Sequence, residues 1–147
     1  MNSKIPSATV FAWQANMVLG HATMDQVHME CVARINELLA CTDDGIEHAF
    51  DRLVSHLDAH FAQEERQMRE TAYNGASCHV DEHKAVLASA SEVRLLLTEG
   101  RTDIARRFVQ HLADWLPKHI SNMDHSLADW LLTRRADGLQ SVRIFKT

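Results

Sequence analysis

Ten histidines stand in a chain of 147 residues that has only 15 lysines and arginines, and several sit where helical spacing could gather a metal ion. His60 and Glu64 are four residues apart, as are His79 and His83. At about 100° per residue, helical positions i and i+4 lie nearly above one another, so each pair points one way. His28 stands by itself in sequence. His119 and Asp124 are five apart, an offset of about 140° on a regular helix. These two could straddle a site, or a kink at Pro117 could alter the geometry. Seven such groups converging on one core layer would be hard to stabilise without a cation, because an unpaired buried carboxylate costs several kcal/mol.

Five imidazoles and two carboxylates exceed what one ion needs. On two six-coordinate ions with both carboxylates bridging, five nitrogens and four oxygens fill nine of twelve positions. A bridging oxo or hydroxo group fills two more. One position stays open, on one ion only. Imidazole with carboxylate suits iron among several first-row metals, so ligand type alone leaves the metal open.

The elements that must position these residues are helices. Five Gly and two Pro suit long helices better than a turn-rich β fold. Met24, Val27, His28, Cys31, Ile35, Leu38 and Leu39 recur at spacings of three and four, which predicts an amphipathic helix from about Gly20 to Ala40. A second carries Ile46, Phe50, Leu53, Leu57, His60, Glu64 and Met68 on one face and ends near Tyr73-Asn74-Gly75. Ser77 is a plausible N-cap for a third, whose inner face reads His79, His83, Val86 or Leu87, Ala90, Val93 and Leu97, with Gly100 closing it. The fourth shows Ile104, Phe108, Leu112, Trp115, His119 and Met123, flanked by Leu116, Ile120, Asp124, Leu127 and Leu131. Pro117 inside it should kink the helix. Short connections then predict an all-α, up-down-up-down four-helix bundle over residues 20–135. Residues 1–19 form an N-terminal arm, with Phe11 and Trp13 docking on the body, and 136–147 a C-terminal tail, all in one domain.

Taken together, the motifs resemble those of the bacterial hemerythrin family along nearly the whole chain. They are Trp13 and Gly20 before Met24-Asp25-Gln26-Val27-His28, then His60-Phe61-Ala62-Gln63-Glu64-Glu65, then Tyr73 before His79-Val80-Asp81-Glu82-His83, and Trp115-Leu116-Pro117-Lys118-His119-Ile120 with Asp124. The resemblance implies that His79, His83 and His119 bind one iron, His28 and His60 the other, and that Glu64 and Asp124 bridge. It further implies two Fe ions with a bridging oxo or hydroxo group, and oxygen bound reversibly at the iron with two histidines. Phe61, Leu116 and Ile120 flank the ligands and could wall a dry oxygen pocket. Ferritin-like di-iron sites use four glutamates and two histidines. A set with fewer anions should stabilise high-valent iron less and split O–O bonds poorly, which points away from an enzyme.

Departures from the family pattern are local. The usual Asp-x-Gln-His becomes Asp25-Gln26-Val27-His28, Asn74 stands where proline is frequent, and His56 replaces a common aromatic. His56 and His111 read as satisfied polar groups, His21, His48 and His125 as surface residues, and Cys31 as a small buried hydrophobe.

A net charge of -5 offers no basic footprint for nucleic acid, and no run approaches the roughly 20 apolar residues of a membrane span. Met1 to Val10 lacks the pattern of a signal peptide. Three cysteines without CxxC spacing make a reducing cytoplasm the expected compartment. The leading functional expectation is oxygen storage, delivery or buffering. The alternatives are a sensor of oxygen, nitric oxide or redox state acting through a separate protein, and a di-iron oxidase or peroxidase.

Overall fold

Four helical rods carry the chain in a computed structural model that describes residues 10–145, with side chains to residue 135. They are α1 (Ala22–Ala40), α2 (Ile46–Glu70), α3 (Ala76–Thr98) and a fourth rod in three parts. That rod comprises α4 (Thr102–His119), a π-helical turn (Ile120–Asp124) and α5 (His125–Phe145). The first rod packs on the second and fourth, and the third packs on the same two. Sequence neighbours are thus spatial neighbours, and short loops make them antiparallel. The expected up-down-up-down bundle is what forms, with no strand among the described residues. Among those residues no helix is long and apolar enough to cross a membrane.

The apolar stripe of α2 is buried as its periodicity predicts: Ile46, Phe50, Leu53, Leu57 and Met68 all face inward. The fourth rod is rotated from the expected face. Ala105, Val109, Leu112 and Leu116 are buried, while Ile104, Phe108 and Trp115 are half-buried at the edge.

Capping also departs from expectation at one place. The first turn of α3 starts at Ala76 after Gly75, so Ser77 lies inside the helix and caps nothing. At the other end Gly100, at φ +88°, closes α3 as proposed. Its N–H donates to the Leu97 carbonyl and that of Arg101 to Leu96, satisfying otherwise orphaned carbonyls.

The distortion expected at Pro117 takes a specific form. Proline contributes no backbone donor, which weakens the α-ladder around it. The helix nevertheless runs through Pro117 to His119 and then widens, and the His125 N–H donates to the Ile120 carbonyl five residues back. A π turn inserts one residue per turn, so positions five apart come onto the same side.

The arm docks through both apolar and polar contacts. Phe11 and Trp13 pack on the main core. The Phe11 N–H donates to Asn36 Oδ1 at 2.7 Å, and Asn36 Nδ2 donates to the Phe11 carbonyl at 2.9 Å. Asp25 receives the Leu19 N–H at 2.8 Å and the Gly20 N–H at 3.1 Å, which ties the arm to the start of α1. Asn36→Ala should therefore lower unfolding stability by about 1–2 kcal/mol, read as a shifted denaturant midpoint with unchanged slope.

Residues 1–9, with Pro6, lie outside the described residues. The tail expected from residue 136 is helical as far as Phe145, since one Gly inside a helix costs only about 1 kcal/mol. The packing expected of Leu139, Val142, Ile144 and Phe145 lies outside the described side chains.

Candidate metal centre

Two apolar clusters occupy the bundle, and a polar layer separates them. The larger gathers Cys31, Ile35, Leu57, Phe61, Leu116 and Ile120 with many others. The smaller holds Met24, Met68, Leu127 and Ala128. Between them lie His28 from α1, His60 and Glu64 from α2, His79 and His83 from α3, and His119 and Asp124 from the fourth rod. None is more than 4% exposed, and they are the only buried polar or charged residues among those described. All seven positions singled out in the sequence are brought together.

The π turn solves the spacing that fitted least well. It carries Asp124 back over His119, whose Nε2 lies 3.2 Å from Asp124 Oδ1. His79 Nε2 and His28 Nε2 each stand 2.9 Å from the same carboxylate. Glu64 lies 2.7 Å from His60, 3.2 Å from both His79 and His83, and 3.6 Å from His28.

Most of these approaches are not hydrogen bonds. Ten buried nitrogen and oxygen atoms of the seven residues have no hydrogen-bond partner. Their separations fit a different arrangement. Ligands about 2.1 Å from a shared ion at right angles to one another are about 3.0 Å apart. The donor atoms fall into two tight groups: Glu64, His79, His83, His119 and Asp124, and His28, His60, Glu64 and Asp124. Both carboxylates belong to both. The cluster therefore has the shape to hold two cations with Glu64 and Asp124 between them.

Burial opposes charging His28 and His79, but close approach of Asp124 and Glu64 overcomes it and raises both imidazoles to about 9. Burial likewise opposes charging Glu64 and Asp124, and Glu64 adds to the opposition at Asp124. The surrounding imidazoles prevail and hold both acids well below the usual carboxylate range. Burial pushes the Cys31 thiol up to about 12, so it serves as core rather than as a thiolate donor.

Two residues quoted within the motifs, but given no role by spacing, support the site. Glu65 Oε2 lies 2.9 Å from His83 Nδ1, and Glu82 Oε1 lies 2.8 Å from His119 Nδ1. Each fixes the ring that it meets and turns Nε2 toward the centre. Aromatic faces add to this. Phe61 stacks on His83 with centroids 3.9 Å apart, and Trp115 on His119 at 4.3 Å. Phe61, Leu116 and Ile120 are each at most 1% exposed. A void of about 10 Å³ lies beside His60 and Glu64, lined by Thr23, Met24, Val27, Gln63 and Gln67.

The remaining histidines are accounted for separately. His56 Nε2 meets the Val27 carbonyl at 3.1 Å, a satisfied polar contact as expected. His21, rather than idling at the surface, caps α1 by accepting the Met24 N–H at 3.2 Å. His48, His111 and His125 are exposed.

A four-helix bundle with two cation-sized donor groups sharing carboxylates defines a metal-binding protein. Residues 19–131 match the family described as the hemerythrin HHE cation binding domain, and the chain belongs to the hemerythrin family. A bacteriohemerythrin of Ralstonia nicotianae is 30% identical over 128 residues, covering 87% of this chain and 93% of that protein. One of Aquifex aeolicus is 27% identical over 119 residues, covering 77% and 91%. In fold, the chain matches a crystal structure of wild-type hemerythrin with a TM-score of 0.74 at 21% identity, over 82% of this chain and 96% of that one.

Proposed function

We propose that the seven side chains hold two iron ions joined by an oxo or hydroxo group, and that the protein binds oxygen reversibly for storage, delivery or buffering. His79, His83 and His119 serve one iron and His28 and His60 the other, with Glu64 and Asp124 shared. The observation that carries the reading is this three-to-two division of imidazoles around common carboxylates. It leaves the open position beside the two-histidine half. The family membership and its bacteriohemerythrin relatives support iron and oxygen as the occupants.

When bound, the iron pair supplies the electrons that oxygen binding requires. The chain supplies the surroundings. Phe61, Leu116 and Ile120, buried in the apolar cluster beside the ligands, would help to exclude water from the metals, although the small void at His60 and Glu64 is lined by other residues. The void at His60 and Glu64 marks the two-histidine side and is, at about 10 Å³, of the order of one water molecule in size. Glu64 and Asp124, which belong to both donor groups, would be shared by the two ions and would offset their charge. The histidine-rich donor set, with only two carboxylates, favours binding over cleavage of oxygen in this reading.

Spectra test the proposal directly. Protein reduced under argon should develop a stable visible absorption band on adding oxygen, lose it on purging and regain it on re-exposure. Prompt, permanent oxidation with release of hydrogen peroxide would overturn the carrier reading and favour a sensor or an oxidase.

A further inference from the structure

The two halves of the cluster are supported unequally, and the inequality comes from residues outside the seven. In the three-histidine half, His83 and His119 are each held at two places. A carboxylate meets Nδ1, at 2.9 Å from Glu65 and 2.8 Å from Glu82, and an aromatic ring covers one face, Phe61 and Trp115 respectively. The two-histidine half lacks this. Nδ1 of His28 and of His60 is buried and has no partner. Their rings meet each other edge-on, with centroids 4.9 Å apart.

We infer that Glu65 and Glu82 are positioning residues that make the three-histidine site the tighter-binding and more readily oxidised of the two. The inference rests on the two-iron reading and extends it. A carboxylate on Nδ1–H draws the proton away from the ring, which makes Nε2 a stronger donor and fixes its tautomer. Stronger donors favour the higher charge of ferric iron. Two of the three histidines on one side receive this support and neither on the other, so the bias has a direction. Rings already locked also lose less freedom when an ion arrives, which lowers the cost of filling that half first. The half with the open position would then bind its iron more weakly and have the higher potential, so its iron would be the harder to oxidise.

Glutamine isolates the charge, because its amide oxygen can still accept the Nδ1 proton. Metal-free wild type and the double variant Glu65→Gln, Glu82→Gln would be titrated with ferrous iron under argon by calorimetry. Potentials of the loaded proteins would then be followed by spectroelectrochemistry. The wild type should bind two irons in a strong and a weaker step. In the variant the strong step should weaken 10–100-fold and the weaker step stay unchanged. The lower potential should rise, with 59 mV corresponding to each tenfold loss of ferric over ferrous preference. The metal-free variant should keep the helical circular dichroism spectrum of the wild type, since each glutamine oxygen can still accept the Nδ1 proton.

An intact strong step and unmoved potential in the variant, with two irons still bound, would overturn this inference alone. Equal weakening of both steps would do the same. A lower metal-free melting temperature with unchanged iron binding would show a purely structural role. Fewer than two irons in the wild type would overturn the two-iron reading, and this inference with it.

Discussion

Glu64→Ala is expected to strip the purified protein of most of its iron, leaving well below the two ions per chain expected of the wild type. Glu64 approaches four imidazoles, at 2.7 Å from His60, 3.2 Å from His79 and His83, and 3.6 Å from His28. It belongs to both donor groups, so its loss takes a ligand from each ion and removes half of the carboxylate charge between them. His60→Ala removes one donor from one group and should retain more iron. The metal-free variant should suffer as well, because breaking a buried charged pair costs about 3–5 kcal/mol. Glu64→Gln preserves the shape and guards against simple misfolding. It should lose iron while keeping a helical circular dichroism spectrum. Iron analysis of the purified proteins decides the matter: two ions per chain in either Glu64 variant would refute the ligand assignment.

The second large effect is that loading with metal should abolish the loss of stability that the metal-free protein suffers as pH rises. In the metal-free chain His28 and His79 have pKa values raised from 6.5 to about 9. Burial resists this, and the carboxylates of Asp124 and Glu64 outweigh it. Such groups bind protons more tightly folded than unfolded, so their contribution is complete below pH 6.5 and is lost as pH rises through about 9. Each shift corresponds to stability on the order of 3 kcal/mol, at 1.36 kcal/mol per unit. Glu64 and Asp124 are depressed, so their contribution stands above their ordinary values of 4.5 and 3.8 and is lost as pH falls through the lowered ones. Metal-free protein should therefore melt at progressively lower temperature from pH 6.5 to 9. Metal binding must expel the same imidazole protons, so affinity should rise over that window, by up to about tenfold per pH unit for each proton displaced. The loaded protein should then gain stability relative to the metal-free form as pH increases. Melting curves of both forms across the window test it, and parallel curves would refute it.

Much of this protein was legible from residue order. Burial of His60, Glu64, His79 and His83 follows from i, i+4 spacing inside an apolar stripe, which is local arithmetic on a helix. The bundle follows from four such stripes and short loops, and the expectation of a metal site follows from seven polar groups in an apolar core. The motifs that resemble the hemerythrins pointed to the family to which the chain belongs.

Other features depend on how the rods meet. Asp124 has a 140° offset from His119 on any regular helix, and only the π turn at Ile120–Asp124 brings the two to 3.2 Å. Where a helix widens is a compromise between weakened local hydrogen bonds and the packing and ligation gained elsewhere, and spacing does not reveal it. The rotation of α4 buries Ala105 and Val109 in place of Ile104 and Phe108, which the apolar period alone does not distinguish. Glu65 and Glu82 lie one residue from Glu64 and His83, so on their own helices they point away from those ligands. They reach His83 and His119 across an interhelical seam, at sequence separations of 18 and 37. Periodicity within each helix thus determined the inward facing of the i, i+4 pairs, and the π turn that of Asp124. The support of the ligands, and the inequality of the two halves, were decided by register between helices, which exists only once the bundle has packed.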